Sequence, residues 1–186
     1  MNEQVYLLAG GNGARSGGPK AWRSYEGKSL LERHISFLLG RFAPENIAVS
    51  IQAPWKDRCL KIHPKVRWVA EDPQLPPMSA IQALFDAMPL KTWAFLYHVD
   101  MPVWEPALFE ALAGRIAISD QKGIEALAPI FQGRKGHPIL LSPRLGSEIA
   151  ALDATKDRMD LWLRSRREDT VDVPFACIHE NWNQPH

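Results

Sequence analysis

The stretch LLAGGNGARSGGPK, residues 7–20, follows a short apolar run near the beginning of the chain and contains five glycines. Glycine permits positive φ and lets backbone N–H groups approach an anion without a Cβ in the way, while Arg15 and Lys20 provide the countercharge. A glycine-rich linker would have a similar composition, but a loop that directly follows a strand-like run is typical of phosphate binding. The stretch therefore predicts a phosphate-binding loop at the end of a first strand.

The spacing of this loop differs from that of two familiar nucleotide-binding motifs. A dinucleotide fingerprint requires G-x-G-x-x-G leading directly into a helix, and a Walker loop requires G-x-x-x-x-G-K-[ST]. Here Pro19 precedes Lys20, and Ala21 follows it in place of Ser or Thr. The sequence therefore fits neither motif.

Strand-length apolar runs alternate with helical patterns along the chain, which is typical of a mostly parallel sheet covered by helices. We expect strands at 5–9, 47–51, 66–70, 92–99 and about 171–178, with two shorter strands flanking the turn 133–136. We expect helices at 30–39, 81–88, 106–112, 145–151 and 159–164, the first of them opened by a Ser29/Glu32 capping box, and a short helical or loop piece at about 55–60. The pattern predicts an α/β fold in a single domain that covers residues 1–186.

Composition limits the classes of partner. The 186 residues include 46% hydrophobic and 23% charged residues, and the formal net charge is +1. This balance is ordinary for a globular protein and provides no general field for polyanions, so we expect no nucleic-acid partner. Cys59 and Cys177 lie far apart, form no metal or redox motif and fit a reducing compartment. Because the N-terminal residues resemble neither a signal peptide nor a membrane span, we expect a cytoplasmic protein with no membrane partner. The sequence does not indicate the oligomeric state.

A carboxylate lies where the most apolar strand is expected to end. Asp100 follows the run 92–99, and ligands bind at the carboxyl ends of the strands in open sheets of this kind. A hard cation such as Mg²⁺ prefers oxygen donors and is usually shared between one or two carboxylates and the substrate phosphates. Asp100 is therefore a candidate magnesium ligand, although on local grounds it could equally cap the helix that follows.

The glycine-rich stretch resembles the N-terminal signature of the nucleotidyltransferases that make molybdenum-cofactor dinucleotides, L-A-G-G-x-x-x-R-M-G-G-x-x-K, in the wider nucleoside triphosphate transferase superfamily. Ser16 stands where these families usually have methionine, and the matching residues are Leu8, Ala9, Gly10, Gly11, Arg15, Gly17, Gly18 and Lys20. The resemblance implies a Rossmann-like, three-layer α/β/α domain of the nucleotide-diphospho-sugar transferase type. It assigns nucleotide binding to Leu8, Ala9, Gly10, Gly11 and Lys20, and catalytic roles to Arg15, Lys20 and Asp100.

Two further stretches are similar to metal-binding motifs of that family. Asp100, Met101 and Pro102 match a D-M-P motif, which favours the metal role of Asp100 over the capping role. The NWNQP stretch near the C-terminus is similar to the N-x-N-T-P pattern that ends the family's catalytic domain, with Gln184 in place of the threonine. The resemblance implies that Asn183 is a second Mg²⁺ ligand through its neutral carbonyl oxygen, unless these residues are only a polar tail.

Two loops are implied to contact the substrates. The GRKGHPILL stretch looks like the family's G-R-x-G-H-P-V-L-F signature, which implies second-substrate binding by Arg134, Gly136 and His137. A basic hairpin turn, in which His137 caps a backbone group, would have the same sequence. The loop between the third strand and the next helix implies nucleotide binding by Asp72 and by Ser79, although Ser79 could instead only cap that helix.

The resemblance implies nucleotidyl transfer from GTP or CTP to the terminal phosphate of a molybdopterin-type acceptor, with Mg²⁺ as cofactor and release of pyrophosphate. A phosphate nucleophile is already anionic and needs no general base, which agrees with a sequence that shows no Ser/His/Asp or Cys/His constellation. The motifs conflict over guanine and cytosine and favour guanine only slightly. The alternatives are a sugar-phosphate or isoprenoid-precursor nucleotidyltransferase and a nucleotide-binding protein that has lost catalysis.

Overall fold

A mixed sheet of eight strands runs through the centre of the protein in a computed structural model, which describes residues 1–13 and 17–182. The strands are β1 (Gln4–Leu8), β2 (Ser24–Tyr25), β3 (Lys28–Ser29), β4 (Ile47–Gln52), β5 (Arg67–Glu71), β6 (Ala94–His98), β7 (Ala126–Phe131), β8 (Arg134–Lys135), β9 (Ile139–Leu141) and β10 (Glu168–Asp172). The order across the main sheet is β10-β7-β9-β6-β1-β4-β5, with β8 paired to β7, while β2 and β3 form a separate hairpin. The mostly parallel sheet predicted from the sequence is confirmed.

β1 lies in the middle of the sheet, between two parallel neighbours. Val5 lies opposite Ile47 of β4, and Leu8 lies opposite His98 of β6. All five residues of β1 are buried. A strand that is covered on both faces reads as a continuous apolar run, which is why β1 could be recognised in the sequence.

Helices cover both faces of the sheet and give the predicted three-layer α/β/α arrangement. They are α1 (Leu30–Leu39), α2 (Lys56–Ile62), α3 (Pro77–Ala87), α4 (Pro106–Ala113), α5 (Ile116–Lys122), α6 (Gly146–Ala150) and α7 (Met159–Leu163). Helices α1, α2, α4 and α5 share a core with Val5 and Leu7 on one face, and α3, α6 and α7 share a second core with Tyr6 and Leu8 on the other. Within the described residues, no helix has both the length and the apolar character needed to cross a membrane.

The last strand differs from its prediction. β10 ends at Asp172, whereas the sequence predicted a strand at about 171–178. Pro174 has no N–H to donate to a strand, and Ala176–His179 form a 3₁₀ helix instead. β10 lies at an edge of the sheet with its side chains half-buried, so its sequence EDTVD contains no apolar run.

The sequence prediction contains neither the β2–β3 hairpin nor helix α5, and it has a turn at 133–136 where the structure forms the short strand β8. The β2–β3 hairpin turns at Glu26 and Gly27, which both have positive φ, but each of its strands has two residues and shows no periodicity. Helix α5 ends at Gly123, a left-handed cap with φ of 64°. Its seven residues include a single buried one, so the sequence shows no apolar face there.

The predicted capping box opens α1. The Ser29 hydroxyl accepts a hydrogen bond from the Glu32 N–H at 3.3 Å, and the Glu32 carboxylate accepts one from the Ser29 N–H at 2.7 Å. The hydrogen bonds from Ser29 hold the pKa of the Glu32 carboxyl below its ordinary value. The helix that brings five buried residues to the core therefore begins with part of its free N–H groups satisfied.

Replacing Ser29 with alanine removes this cap. We expect Ser29→Ala to lower the free energy of unfolding by about 1 kcal/mol and the melting temperature by about 3 °C. The loss should shrink at about pH 3, because a carboxyl with a lowered folded-state pKa stabilises the fold above its unfolded-state pKa and loses that contribution as the pH falls. Thermal unfolding followed by circular dichroism at both pH values measures this. Ser36→Ala, at an exposed position of the same helix, is the control, and equal losses in both variants would contradict the capping role.

Candidate active site

A cavity of about 820 Å³ opens at the carboxyl edge of the sheet. Its walls come from residues 8–13 after β1, from parts of residues 71–80 between β5 and α3, and from residues 98–100 at the end of β6, together with Lys20. β1, β5 and β6 point in the same direction, so their carboxyl ends meet at this edge. The volume is typical of a site for a small molecule the size of a nucleotide.

The glycine loop closes on itself at the mouth of this cavity. The Gly18 N–H donates a hydrogen bond to the Gly13 carbonyl at 3.2 Å. Gly13 has φ of 61°, and a Cβ there would overlap the Gly18 carbonyl, so only glycine fits. Gly11 has open space where a Cβ would lie, which leaves this part of the backbone accessible from the cavity. Residues 14–16, which include the predicted catalytic Arg15, lie outside the described residues.

The structure brings Lys20 and Asp100 into direct contact. The Lys20 ammonium donates to the Asp100 carboxylate, and both residues line the cavity. Asp100 does not cap the helix that follows, because α4 begins at Pro106 and its N-cap is Glu105, whose carboxylate accepts from the Ala107 N–H at 3.2 Å. The carboxylate therefore faces the cavity and is not used as a helix cap, and its role as a metal ligand stays a prediction.

The chemistry of Asp100 fits a hard cation that also binds a substrate. Within residues 1–13 and 17–182, no group of three His, Cys, Asp or Glu side chains is arranged to hold a metal ion. Among these described residues, a cation at this edge would take the Asp100 carboxylate, and phosphates and water would add further oxygens. That ligand set suits Mg²⁺, which usually keeps several waters and binds through one or two carboxylates.

A buried histidine supports the turn that presents Asp100. The His34 Nε2 donates to the Val99 carbonyl at 2.9 Å, and its Nδ1 accepts from the Trp104 indole N–H at 3.1 Å. The Trp104 bond requires an unprotonated Nδ1, so the ring is the neutral Nε2–H tautomer. Burial lowers the pKa of His34 to about 4, in agreement with a neutral structural role.

Glu71, which sequence reasoning missed, lies in the cavity at the end of β5. Its carboxylate lies so close to Gly10 that a Cβ on that glycine would overlap it. Burial raises the pKa of Glu71 to about 7, partly opposed by a hydrogen bond from Ser50. Its Oε2 is buried and has no hydrogen-bond partner among the described residues. A buried acceptor of this kind is usually satisfied by a ligand or by water.

Asp72 and Ser79, the sequence-predicted nucleotide contacts, do not line the cavity. The Asp72 Oδ1 accepts from the Gln74 N–H at 2.9 Å in an exposed turn, so this carboxylate is used within its own loop. Ser79 is not the helix cap either, because α3 begins at Pro77 with Pro76 as its N-cap. The helix begins two residues before Ser79, because Pro77 occupies its first position, where the missing N–H of proline is tolerated.

His98 is the second cavity residue that sequence reasoning missed. It ends β6, and its side chain is open to the cavity two residues before Asp100. Surrounding protein groups lower the pKa of its ring by desolvation, with the Asp100 charge acting in the opposite direction. A polar residue that ends an otherwise apolar strand was the signal available in the sequence.

The predicted second-substrate residues lie beyond β6, around β8 and the start of β9. The Gly136 N–H donates to the Pro129 carbonyl at 2.9 Å, and a Cβ on Gly136 would overlap the Ile178 carbonyl. The His137 N–H donates to that same Ile178 carbonyl at 3.0 Å. Backbone hydrogen bonds therefore fix this segment, while its side chains are available for other contacts.

The side chains of that segment differ in their environments. Arg134 has an exposed side chain, whereas the neighbouring Lys135 pairs with Glu168. His137 does not cap a backbone group through Nδ1, because that atom is buried and has no partner among the described residues. Burial lowers the pKa of His137 to about 4, so its ring is neutral at physiological pH.

The last described residue, Trp182, is fixed beside Asp100. Its N–H donates to the Asp100 carbonyl at 2.8 Å, and its carbonyl accepts from the Arg23 guanidinium at 2.9 Å. Its ring packs against Tyr25 and Trp104, with ring centroids 4.7 and 5.8 Å away. Asn183, the predicted second metal ligand, lies outside the described residues.

Solved structures of other proteins share this fold. The Rv0371c protein of Mycobacterium tuberculosis H37Rv is 21% identical with a TM-score of 0.71, covering 98% of this chain and 95% of that one, and another structure of that protein is a complex with manganese. The molybdopterin-guanine dinucleotide biosynthesis protein A of Archaeoglobus fulgidus is 19% identical with a TM-score of 0.64, covering 91% of this chain and 83% of that one. The 4-diphosphocytidyl-2C-methyl-D-erythritol synthase of Anaerococcus prevotii is 13% identical with a TM-score of 0.67, covering 97% of this chain and 92% of that one. No curated protein matches the sequence significantly.

A family model gives a more specific assignment than these structures, whose low identities show the fold alone. Residues 5–171 match the model of the MobA-like NTP transferase domain. The matched range includes the glycine loop, Lys20, Asp100 and His137, which are the residues that the structure arranges along one edge of the sheet. The chain therefore belongs to the MobA-like NTP transferase family and is a nucleotidyltransferase by that membership.

Proposed function

We propose that this protein transfers a nucleoside monophosphate from GTP or CTP to the terminal phosphate of a molybdopterin-type acceptor and releases pyrophosphate. The observation that carries the proposal is the Lys20–Asp100 pair, a cation and a carboxylate in contact inside a cavity bordered by the glycine loop. This arrangement suits charge neutralisation on a phosphate more than it suits acid–base chemistry.

In this mechanism the chain positions the two phosphates and neutralises their charge. The backbone after β1 and Arg15 bind the β- and γ-phosphates, and Lys20 turns from Asp100 to the α-phosphate. A Mg²⁺ ion held by Asp100, with Asn183 as second ligand, would withdraw further charge from the α-phosphate. An acceptor phosphate oxygen attacks the α-phosphorus, the bond to the β-phosphate oxygen breaks, and pyrophosphate leaves. The nucleophile is already anionic, so the site needs no general base.

Two observations support a molybdopterin-type acceptor. The Archaeoglobus fulgidus neighbour is by its name a molybdopterin-guanine dinucleotide biosynthesis protein. The segment with Arg134, Gly136 and His137 lies beyond β6, on the side of Asp100 away from the glycine loop, where a second substrate can approach. The Anaerococcus prevotii neighbour favours the second candidate, an isoprenoid-precursor cytidylyltransferase. Incorporation of nucleotide that depends on molybdopterin, and not on a sugar or polyol phosphate, would decide between them.

Glu71 supports guanine over cytosine as the base. An ionised carboxylate can accept two hydrogen bonds from the N1–H and N2–H groups of guanine, whereas the matching edge of cytosine has an acceptor at N3 next to its N4 donor. The Glu71 carboxylate lies inside the cavity beside Gly10, so a base that reached it would lie close to the beginning of the glycine loop. The exposed Leu75 side chain and the neighbouring prolines provide an apolar wall for the ring.

Removal of either member of the ion pair should abolish most of the turnover. We expect Lys20→Met and Asp100→Asn each to lower the rate of pyrophosphate release by about 10²- to 10³-fold, because each removes charge stabilisation of the transition state. Far-ultraviolet circular dichroism should show an intact fold. Lys156→Met, which breaks the exposed Lys156–Asp153 pair, is the matched control and should keep wild-type turnover. Near-normal rates in either site variant would refute the assigned role.

Glu71 should set the base preference and its pH dependence. We expect the wild-type protein to bind GTP more tightly than CTP, and about tenfold more tightly at pH 8 than at pH 6, because binding requires the ionised form of a group with a pKa of about 7. Glu71→Gln should weaken GTP binding, improve CTP binding and remove this pH dependence, since an amide matches the donor and acceptor of cytosine. Thermal shift with each nucleotide and Mg²⁺ measures this. Asp72→Asn is the comparison, and a larger effect there would restore the sequence assignment of Asp72.

Glu71 should also reduce the stability of the nucleotide-free protein. Its folded-state pKa of about 7 lies above the ordinary glutamate value of 4.5, so its contribution to stability is fully present below about pH 4.5 and falls as the pH rises towards 7. We expect Glu71→Gln to raise the free energy of unfolding by about 1–2 kcal/mol at pH 8 and to change it little at about pH 4.5. Urea unfolding at both pH values measures this. The exposed Glu110→Gln is the control, and equal gains at both pH values would contradict the explanation.

A further inference from the structure

His98 lies between the two halves of the site. It is the last residue of β6, where Leu96 pairs with Ile139 of the antiparallel β9. His137, the last residue of the neighbouring segment, lies close enough to His98 for a charge on His98 to lower the pKa of the His137 ring. On its other side His98 adjoins β1, whose Leu8 is its direct partner in the sheet. The histidine therefore separates the nucleotide cavity after β1 from the segment that precedes β9.

The side chain of His98 is available for a ligand. It is exposed and lines the cavity. The Met101 N–H donates to the His98 carbonyl at 3.1 Å, so a tight turn places the imidazole and the Asp100 carboxylate side by side. The Nδ1 of His137, which has no partner among the described residues, belongs to the segment that precedes β9.

The in-line geometry of the proposed reaction determines what would lie beside His98. The nucleophile must approach the α-phosphorus on the side opposite to the leaving pyrophosphate. The pyrophosphate stays at the glycine loop, which follows β1. The strand order β9-β6-β1 then puts the opposite side of Lys20 and Asp100 at the end of β6 and the beginning of β9. This is the position of His98.

We infer that His98 binds the terminal phosphate of the acceptor, a phosphate monoester that enters from the β9 side, and aligns its attacking oxygen with the α-phosphorus. An imidazole N–H donates to a phosphate oxygen in either charge state of the ring, so the role does not depend on titration. The attacking oxygen carries its own negative charge, and His98 accepts no proton from it. The inference rests on the proposed nucleotidyl transfer and adds to it a residue that orients the second substrate.

Binding of inorganic phosphate as a probe tests this role without knowledge of the acceptor. The protein is first saturated with Mg²⁺ and α,β-methylene GTP, which fills the nucleotide cavity, and phosphate is then titrated while the ¹⁵N-labelled histidine rings are followed by NMR. We expect the His98 resonances to shift with phosphate, and His98→Ala to raise the half-saturating phosphate concentration about tenfold, the loss typical of a hydrogen bond to a charged group. His98→Asn, which keeps an N–H donor, should restore part of the affinity.

The controls separate this inference from the proposed function. His63→Ala, after α2 and away from the cavity lining, should leave phosphate binding unchanged, and melting temperatures should show that all variants fold. Unshifted His98 resonances, or equal phosphate affinity in His98→Ala and the wild type, would overturn the role of His98. If the wild-type protein bound neither Mg·GTP nor Mg·CTP, the proposed function itself would fail. Nucleotide affinity that fell in His98→Ala as much as phosphate affinity would place His98 at the donor nucleotide instead.

Discussion

The parallel pairing of β1 with β4 and β6 is the constraint on which the whole site depends. Parallel strands all deliver their carboxyl ends to one edge, so the glycine loop, Glu71 and Asp100 reach the same cavity from distant parts of the sequence. Lys20 and Asp100, 80 residues apart, are then close enough to form an ion pair. The buried apolar residues on both faces of β1 fix this register, because a slip by one residue would exchange Tyr6 and Leu7 between the two cores.

The change of direction at β9 brings a second segment of the chain to this edge of the sheet. β9 runs antiparallel to β6, so its beginning, and not its end, lies beside Asp100. The residues that precede β9, including Gly136 and His137, are thereby brought to the edge where the parallel strands finish. Backbone hydrogen bonds from Gly136 to the Pro129 carbonyl and from His137 to the Ile178 carbonyl hold this segment in place. The cavity after β1 and the segment before β9 thus lie on either side of β6, and the proposed function puts the nucleotide in the first and the second substrate at the other.

Site positions that follow a long apolar run could be predicted from the sequence. Positions that depend on how neighbouring strands pack could not. The glycine loop and Asp100 were found because both follow long apolar runs, and strands that are covered on both faces leave such runs. Glu71 was missed in favour of Asp72 because successive residues at a strand end point in opposite directions, and one position decides which acid enters the cavity. The position of β10 was predicted too far along the chain, because an edge strand needs few apolar residues and the true strand has no apolar run. The apolar residues of the predicted strand 171–178 are interrupted by Pro174. Neither error is visible without the neighbouring strands.

Two buried polar atoms beside the cavity lower the stability of the ligand-free protein, because they have no hydrogen-bond partner among the described residues. Buried polar groups in folded proteins are normally hydrogen-bonded, yet Glu71 Oε2 and His137 Nδ1 have no partner in the described part of the chain. They flank the Lys20–Asp100 pair, one on the nucleotide side and the other on the side of β9. The pair itself neutralises two charges that would be costly to leave apart in a partly buried site. A ligand that separated Lys20 from Asp100 would therefore have to provide each of them with a new partner of opposite charge. A triphosphate with its cation would meet this requirement, because its oxygens would bind the lysine and the cation would bind the carboxylate. In the proposed function, an anion that displaced Lys20 without bringing a cation would leave the Asp100 carboxylate uncompensated, which favours a metal–phosphate complex at this pair.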